Sequence, residues 1–156
     1  MQQRRDQLRR DESHDPTKRT KKLPDPTVCP DCGATYRDGR WTWKHGPVEA
    51  PRHLCAACER VRDGYPAGFV TARGHFALGH RDEIIRIARN TEAAEKREHP
   101  IKRIMNTIED PEGVVFETTE LHLAQAIGRA IHGAFKGDLE VAFAEDIVRV
   151  NWSRDA

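Results

Sequence analysis

Residues 28–43 read VCPDCGATYRDGRWTW, and a second cysteine pair follows in LCAAC at residues 54–58. The chain has four cysteines, arranged as two C-x2-C pairs with 22 residues between the pairs. Each pair can present two thiolates to one metal ion from a tight turn, and Gly33 permits that turn after the first pair. The spacing predicts a closed, structural metal site with four ligands, namely Cys29, Cys32, Cys55 and Cys58.

Zinc is the metal that this pattern favours, and one structural Zn²⁺ is expected. A thioredoxin-like redox pair requires a C-x-x-C within a βαβ pattern, which neither pair has. Disulfides are not expected either, because the first 15 residues contain no apolar export signal. Iron in a rubredoxin-like site stays an alternative, since CPDCG suits it, although Glu59 stands where such a turn favours glycine.

The residues around the cysteines also predict the shape of the module. Residues 34–44 predict a β-hairpin that turns at Asp38 and Gly39. Residues 59–64 predict a short helix ending at Gly64. A knuckle, a hairpin and a helix carrying the last ligands describe a treble-clef or zinc-ribbon-like module. A metal-binding free energy on the order of 10 kcal/mol would stabilise a module that is too small to fold without the metal ion.

The rest of the chain predicts a sheet with helices. Residues 66–76 predict a strand and residues 80–97 a helix. Residues 101–153 predict a ββαββ unit, an antiparallel sheet with one face covered by a helix that Thr119 caps. The sequence therefore predicts an α+β protein in four parts, which are a disordered basic arm (1–27), the four-Cys zinc module with its adjoining strand (28–76), a connecting helix (77–100) and the ββαββ domain (101–153).

The formal net charge of +1 conceals an uneven distribution. Residues 1–22 hold eight Arg and Lys against four Asp and Glu, whereas residues 81–156 hold eleven against fifteen. A basic arm ahead of an acidic body is a common layout for proteins that contact nucleic acid, and a solvated tail is the alternative. The chain has no apolar run long enough to span a bilayer, so a cytoplasmic location and no membrane partner are expected.

Aromatic and basic side chains occur together in the predicted hairpin. Trp41 and Trp43 lie two residues apart and should share one face of a strand. Tryptophan beside arginine can stack on RNA bases, although either ring could instead cap a small core beside the metal. The candidate RNA-binding residues, including those of the arm, are Arg4, Arg5, Arg9, Arg10, Lys18, Arg19, Lys21, Lys22, Arg37, Arg40, Trp41, Trp43, Lys44, Arg52, Arg60 and Arg62.

Catalytic motifs are missing from the sequence. It contains no G-x4-G-K-[ST] phosphate loop, no H-E-x-x-H and no G-x-S-x-G. The acidic residues of the last 76 positions are spread over turns and faces, and no acid–base pair can be named among them. The sequence therefore predicts neither catalytic residues nor a small-molecule substrate, and the protein is not expected to be an enzyme.

Three segments, LCAACERVRDGYPAGFVTARG, EIIRIARNTE and ETTELHLAQAIGRAIHGAFKGDLEVAF, carry a family likeness. Together they resemble the N-terminal zinc-binding region of the ribosomal large-subunit export adaptor, the nonsense-mediated mRNA decay protein 3 family of archaea and eukaryotes. The chain also resembles short, uncharacterised bacterial zinc proteins over about residues 28–153. The adaptors carry more cysteines and further domains, so nuclear export is not implied. The resemblance implies a zinc role for the four cysteines and a bacterial factor that binds large-subunit rRNA and ribosomal proteins.

Two hypotheses follow from these observations. In the first, the protein is a non-enzymatic, ribosome-associated zinc protein that binds rRNA and acts in assembly, stress or hibernation. In the second, it is a zinc-stabilised protein–protein interaction or regulatory module without RNA binding, because the acidic body repels phosphate. A salt-dependent association with ribosomes would favour the first hypothesis, and capture of one non-ribosomal protein that survives nuclease would favour the second.

Overall fold

The computed structural model describes residues 23–156, which form two β-sheets and four helices within that range. The predicted α+β class is confirmed. In chain order the elements are β1 (Thr27–Val28), β2 (Thr35–Arg37), β3 (Arg40–Thr42), α1 (Ala56–Asp63), β4 (Gly68–Arg73), α2 (His75–Gly79), α3 (Arg81–Lys96), β5 (Ile104–Asp110), β6 (Gly113–Thr118), α4 (Leu121–Phe135), β7 (Asp138–Ala144) and β8 (Ile147–Ser153).

The small sheet contains β1, β2 and β3 in that order, with antiparallel pairing throughout. The predicted hairpin turns at Asp38 and Gly39, which both have positive φ angles of 52° and 82°. Such angles suit a tight turn between two paired strands. The sheet begins within the predicted arm, because Thr27 is fully buried and starts β1. The rest of the arm, up to residue 22, lies outside the described residues.

The large sheet has the strand order β5-β6-β4-β8-β7. The ββαββ order that the sequence predicts over residues 101–153 is present, but the sheet contains one strand more than that unit supplies. Strand β4, which the sequence assigned to the zinc module, lies in the centre and pairs antiparallel with β6 and parallel with β8. The sheet is therefore mixed rather than wholly antiparallel, because β5–β6 and β7–β8 form two hairpins that flank an earlier strand.

Helices α3 and α4 cover one face of this sheet. Among residues 23–156 the other face, called the open face, carries exposed side chains such as Arg73, Arg149 and Asn151. Alternate residues of the central strands point to the helices, as the period of two in a strand requires. The buried core consists of Val70, Ala72, Ala77, Ile84, Ala88, Val114, Phe116, Leu123, Ala124, Ile127, Ile131, Val148, Val150 and Trp152.

Helix α4 packs so closely on the sheet that one of its positions has no room for a side chain. A Cβ atom at Gly128 would lie 2.4 Å from Cγ1 of Val150. The helix is capped by Glu120, whose side chain accepts a hydrogen bond from the Leu123 N–H at 2.8 Å. The predicted cap, Thr119, is buried one residue earlier and bonds elsewhere. Within residues 23–156, no helix has both the length and the apolar character needed to cross a bilayer.

Candidate metal centre

The first cysteine pair lies on a tight turn that follows β1. The Gly33 N–H donates to the Cys29 carbonyl at 3.0 Å, and the Cys29 N–H donates to the Ala34 carbonyl at 2.8 Å. Gly33 has a φ of +82°, a conformation that favours glycine. The turn thereby holds the Cys29 and Cys32 side chains at the base of the β2–β3 hairpin.

The second pair lies at the start of helix α1. Cys55 is the N-cap residue, and its sulfur accepts a hydrogen bond from the Cys58 N–H at 3.4 Å. The helix ends at Gly64, which adopts a left-handed conformation with a φ of 65°. The predicted order of knuckle, hairpin and helix is therefore present, and membership of the treble-clef class stays a prediction.

The two pairs meet in one cluster. All four sulfurs lie within 4.8 Å of one another, and the sulfurs of Cys32 and Cys55 are 3.8 Å apart. Four thiolates bound tetrahedrally at about 2.3 Å from a metal ion would lie about 3.8 Å apart, whereas a disulfide would bring two sulfurs to about 2.05 Å. The four cysteines are free, so the cluster has the donor set and the dimensions to hold a metal ion.

The surroundings of the sulfurs differ between the two pairs. Burial raises the pKa of the Cys29 thiol, but backbone N–H groups of Cys55, Cys32 and Asp31 outweigh that effect and lower the pKa to about 7. Burial raises the pKa of Cys55, and the neighbouring sulfurs add to this increase. A bound cation would favour all four thiolates, because metal ligation requires the deprotonated form.

Arg103 provides positive charge beside the cysteine cluster. Its guanidinium donates to the sulfurs of Cys32 and Cys55 at 3.2 Å each and to that of Cys58 at 3.4 Å. Burial opposes the charged form, but the hydrogen bond to Cys58 and the charge of the sulfurs raise the pKa of Arg103 above its ordinary value. Four thiolates around a divalent ion carry two negative charges, and Arg103 offsets one of them.

The backbone holds Arg103 in this position. The Arg103 Nε donates to the Pro100 carbonyl at 2.8 Å, and the Arg103 N–H donates to Thr119 Oγ1 at 2.9 Å. Thr119 Oγ1 in turn donates to the Ile101 carbonyl at 2.6 Å. The sequence did not indicate Arg103, because it lies 45 to 71 residues from the three sulfurs it contacts. No local pattern distinguishes it from the other arginines.

The two tryptophans of the hairpin are half-buried and pack against the cysteine cluster. Trp41 makes an edge-to-face contact with Tyr36, with ring centroids 5.5 Å apart. The Trp43 indole N–H donates to the Lys96 carbonyl at the end of α3 at 2.7 Å. Both rings therefore take part in the small core beside the cysteines, which is the alternative that the sequence left open for them.

Two of the candidate RNA-binding arginines are engaged within the module. Arg60 is only 7% exposed and donates to the Tyr65 carbonyl at 3.0 Å. Arg62 is exposed but forms a two-point contact with Asp63 at 2.8 and 3.2 Å. Arg60 thus stabilises the end of α1, and the charge of Arg62 is offset by its neighbour.

The remaining cations of the module lie near its surface. Arg37 is half-buried, whereas Arg40, Lys44 and Arg52 are exposed. None of the four forms an ion pair with another residue of the described range. The arm residues of the predicted RNA-binding set, Arg4 to Lys22, lie outside that range.

No family model matches this chain, and neither the curated proteins nor the solved structures contain a match to it. The resemblance to the export adaptors accordingly stays a prediction.

Proposed function

We propose that this chain is a non-enzymatic, ribosome-associated zinc protein that binds rRNA. The cysteine cluster supports one structural zinc ion, because a closed set of four thiolates has no position left for a substrate. Iron would fit the same sulfurs, and the visible colour of an iron–thiolate centre in purified protein would identify it. Zinc has a filled d shell and gives no such colour.

The observation that carries the RNA proposal is a pair of like charges at the tip of the hairpin. Arg37 and Arg40 are direct cross-strand partners on β2 and β3. Like charges directly opposite each other are destabilising, and an anion placed between them would reverse that effect. Asp38 lies in the turn between them, yet its carboxylate forms no ion pair with either arginine among the described residues.

Two further exposed cations lie elsewhere in the module. Lys44 follows β3, and Arg52 bridges to β1 through its backbone. The arm adds eight Arg and Lys against four Asp and Glu in residues 1–22. A module fixed by a metal ion and preceded by such an arm suits the phosphate backbone of a structured RNA, where affinity depends on the number of phosphates neutralised.

The test is ribosome pelleting with the R37Q/R40Q double variant. Each lost phosphate contact should flatten the dependence of log affinity on log salt by about 0.7–0.9, so the double variant should lose about 1.4–1.8. R62Q is the matched control, because Arg62 is equally part of the module but already pairs with Asp63. A double variant that pellets like the wild type at every salt concentration would remove the hairpin from the interface.

The place of action requires a separate experiment. The resemblance to the adaptors supports the large subunit and a role in assembly, stress or hibernation. Sucrose gradients of lysates from growing and starved cultures, probed for this protein, would locate it. Migration only at the top of both gradients would count against ribosome association.

The second candidate function, a protein-interaction module without RNA binding, rests on the charge of the body. Residues 81–156 carry eleven Arg and Lys against fifteen Asp and Glu. Such a surface repels phosphate unless it faces away from the RNA. A pull-down dominated by one non-ribosomal protein and insensitive to nuclease would favour this function.

A further inference from the structure

Strand β7 forms an edge of the large sheet. It pairs with β8 over seven residues without a bulge, and no other strand of residues 23–156 pairs with its second side. Leu139, Val141 and Phe143 share a face with the buried residues of β8, their cross-strand partners. Although this face of the sheet carries the core, Val141 is 44% exposed and Phe143 is 66% exposed.

The opposite edge of the same sheet is protected. Strand β5 has a bulge between Ile104 and Asn106. The Ile104 N–H donates to the Glu92 carboxylate at 2.7 Å, and Arg89 donates to Thr107 at 3.2 Å. Bulges and charged side chains are the usual means by which edge strands avoid pairing with other chains. Strand β7, DLEVAFA, has no bulge and contains no lysine, arginine or proline. Its two charged residues, Asp138 and Glu140, lie on the face opposite Leu139, Val141 and Phe143.

We infer that β7 pairs with β7 of a second copy of this chain, antiparallel and centred on Val141, to give a continuous sheet of two subunits. The charge pattern of the strand fits itself in this register. Asp138 and Glu140 each lie opposite an alanine of the other copy, Ala144 and Ala142 respectively. Like charges are therefore never directly opposite, and the two Glu140 side chains are neighbours only on the diagonal, on the open face.

The apolar residues fit in the same register. Val141 of one copy lies opposite Val141 of the other, and Leu139 lies opposite Phe143. The row of exposed apolar side chains on one β7 therefore continues onto the β7 of the second copy. A register centred on Glu140 would place that carboxylate directly opposite itself. A two-fold axis makes the contact self-complementary, so the sheet closes as a dimer and does not propagate. This inference does not depend on RNA binding.

The test is the mass of the full-length protein in solution, measured by light scattering after size-exclusion chromatography over a range of concentrations. The wild type should be a dimer, and the mass of F143K and of V141K should fall to half. Phe143 is exposed enough that F143K should remain folded, which circular dichroism would verify. I108K is the matched control, because Ile108 is also 44% exposed but lies on the opposite edge strand, and it should remain dimeric.

Each remaining outcome would overturn the inference. A wild type that is monomeric at all concentrations, or an F143K variant that remains dimeric, would show that β7 is not the interface. A monomer that becomes a dimer when residues 1–22 are deleted would show that the arm occupies the edge instead. An I108K variant that loses the dimer while F143K keeps it would assign the contact to β5.

Discussion

Replacing Arg103 with methionine tests whether this residue stabilises the metal centre. Methionine retains most of the apolar stem and removes the guanidinium, so three hydrogen bonds to sulfur at 3.2, 3.2 and 3.4 Å are lost together. A hydrogen bond to a charged group contributes about 1.5–3 kcal/mol to stability. The three bonds share one guanidinium, so their contributions are not additive. Removing an outer partner of a metal ligand commonly lowers metal affinity by about 10–100-fold, which corresponds to about 1.4–2.8 kcal/mol. We expect R103M to fall in that range.

The assay is competition for zinc with a chromophoric chelator at neutral pH. R103K retains a positive charge but not the planar fork, so its zinc affinity should lie between those of R103M and the wild type. R81M is the matched control, because Arg81 also donates to backbone carbonyls, those of Gly113 and Asp110, but makes no contact with a cysteine. It should lower stability without changing zinc affinity.

The reasoning would be refuted by an R103M variant that is folded and holds zinc within about twofold of the wild type, since the expected loss is at least about tenfold. An equal loss of zinc affinity in R81M would also refute it, because the effect would then come from general destabilisation.

Two further predictions concern the stability of the fold. In α4, G128A should lower the free energy of unfolding by about 1–3 kcal/mol, because the added Cβ would lie 2.4 Å from Val150. In the same helix, the Cβ added by G133A would have no atom within 4 Å, so G133A should raise the free energy of unfolding. Thermal melts of the two variants would show opposite shifts. The hydrogen bond from Lys102, at 3.0 Å, lowers the pKa of Glu95 below the ordinary carboxyl pKa of 4.5. The pair therefore stabilises the fold fully at pH values above 4.5, and this stabilisation is lost as the pH falls through the pKa of Glu95 in the folded protein. K102M should therefore cost less than about 1 kcal/mol at neutral pH and progressively less as the pH falls below 4.5. A difference in urea midpoint that does not shrink in acid would contradict this account.

Local patterns predicted the parts of this fold that depend on neighbouring residues. The cysteine spacing predicted the cluster, since each pair lies within one turn. The repeat of Leu123, Ile127 and Ile131 predicted the buried face of α4, because these residues fall on one side of a helix. The ββαββ order followed from alternation and turn residues in the same way.

Other features depended on partners far away in the chain. The alternation of Val70 and Ala72 is the same whether β4 extends the small module or forms the centre of the large sheet, so periodicity could not reveal its pairing with β8. Thr119 is of the residue type preferred at a helix cap, yet Glu120 caps α4, because the hydroxyl of Thr119 is engaged with residues 101 and 103. Val141 and Phe143 alternate like core residues, yet a position at the sheet edge leaves them exposed.

The contacts between the cysteine module and the sheet imply that a metal ion would stabilise more than the module. Trp43 bonds to the last turn of α3, Ile101 packs against the cysteine cluster, and Arg103 reaches the sulfurs from the residue before β5. These three contacts fix the segment that joins α3 to the sheet. Since binding energy that requires the folded site is also folding energy, a metal ion in the cluster would order this junction as well. A fragment ending at residue 76 would lose Arg103 and leave β4 without both of its neighbours, so we expect the cysteine module and the sheet to fold together.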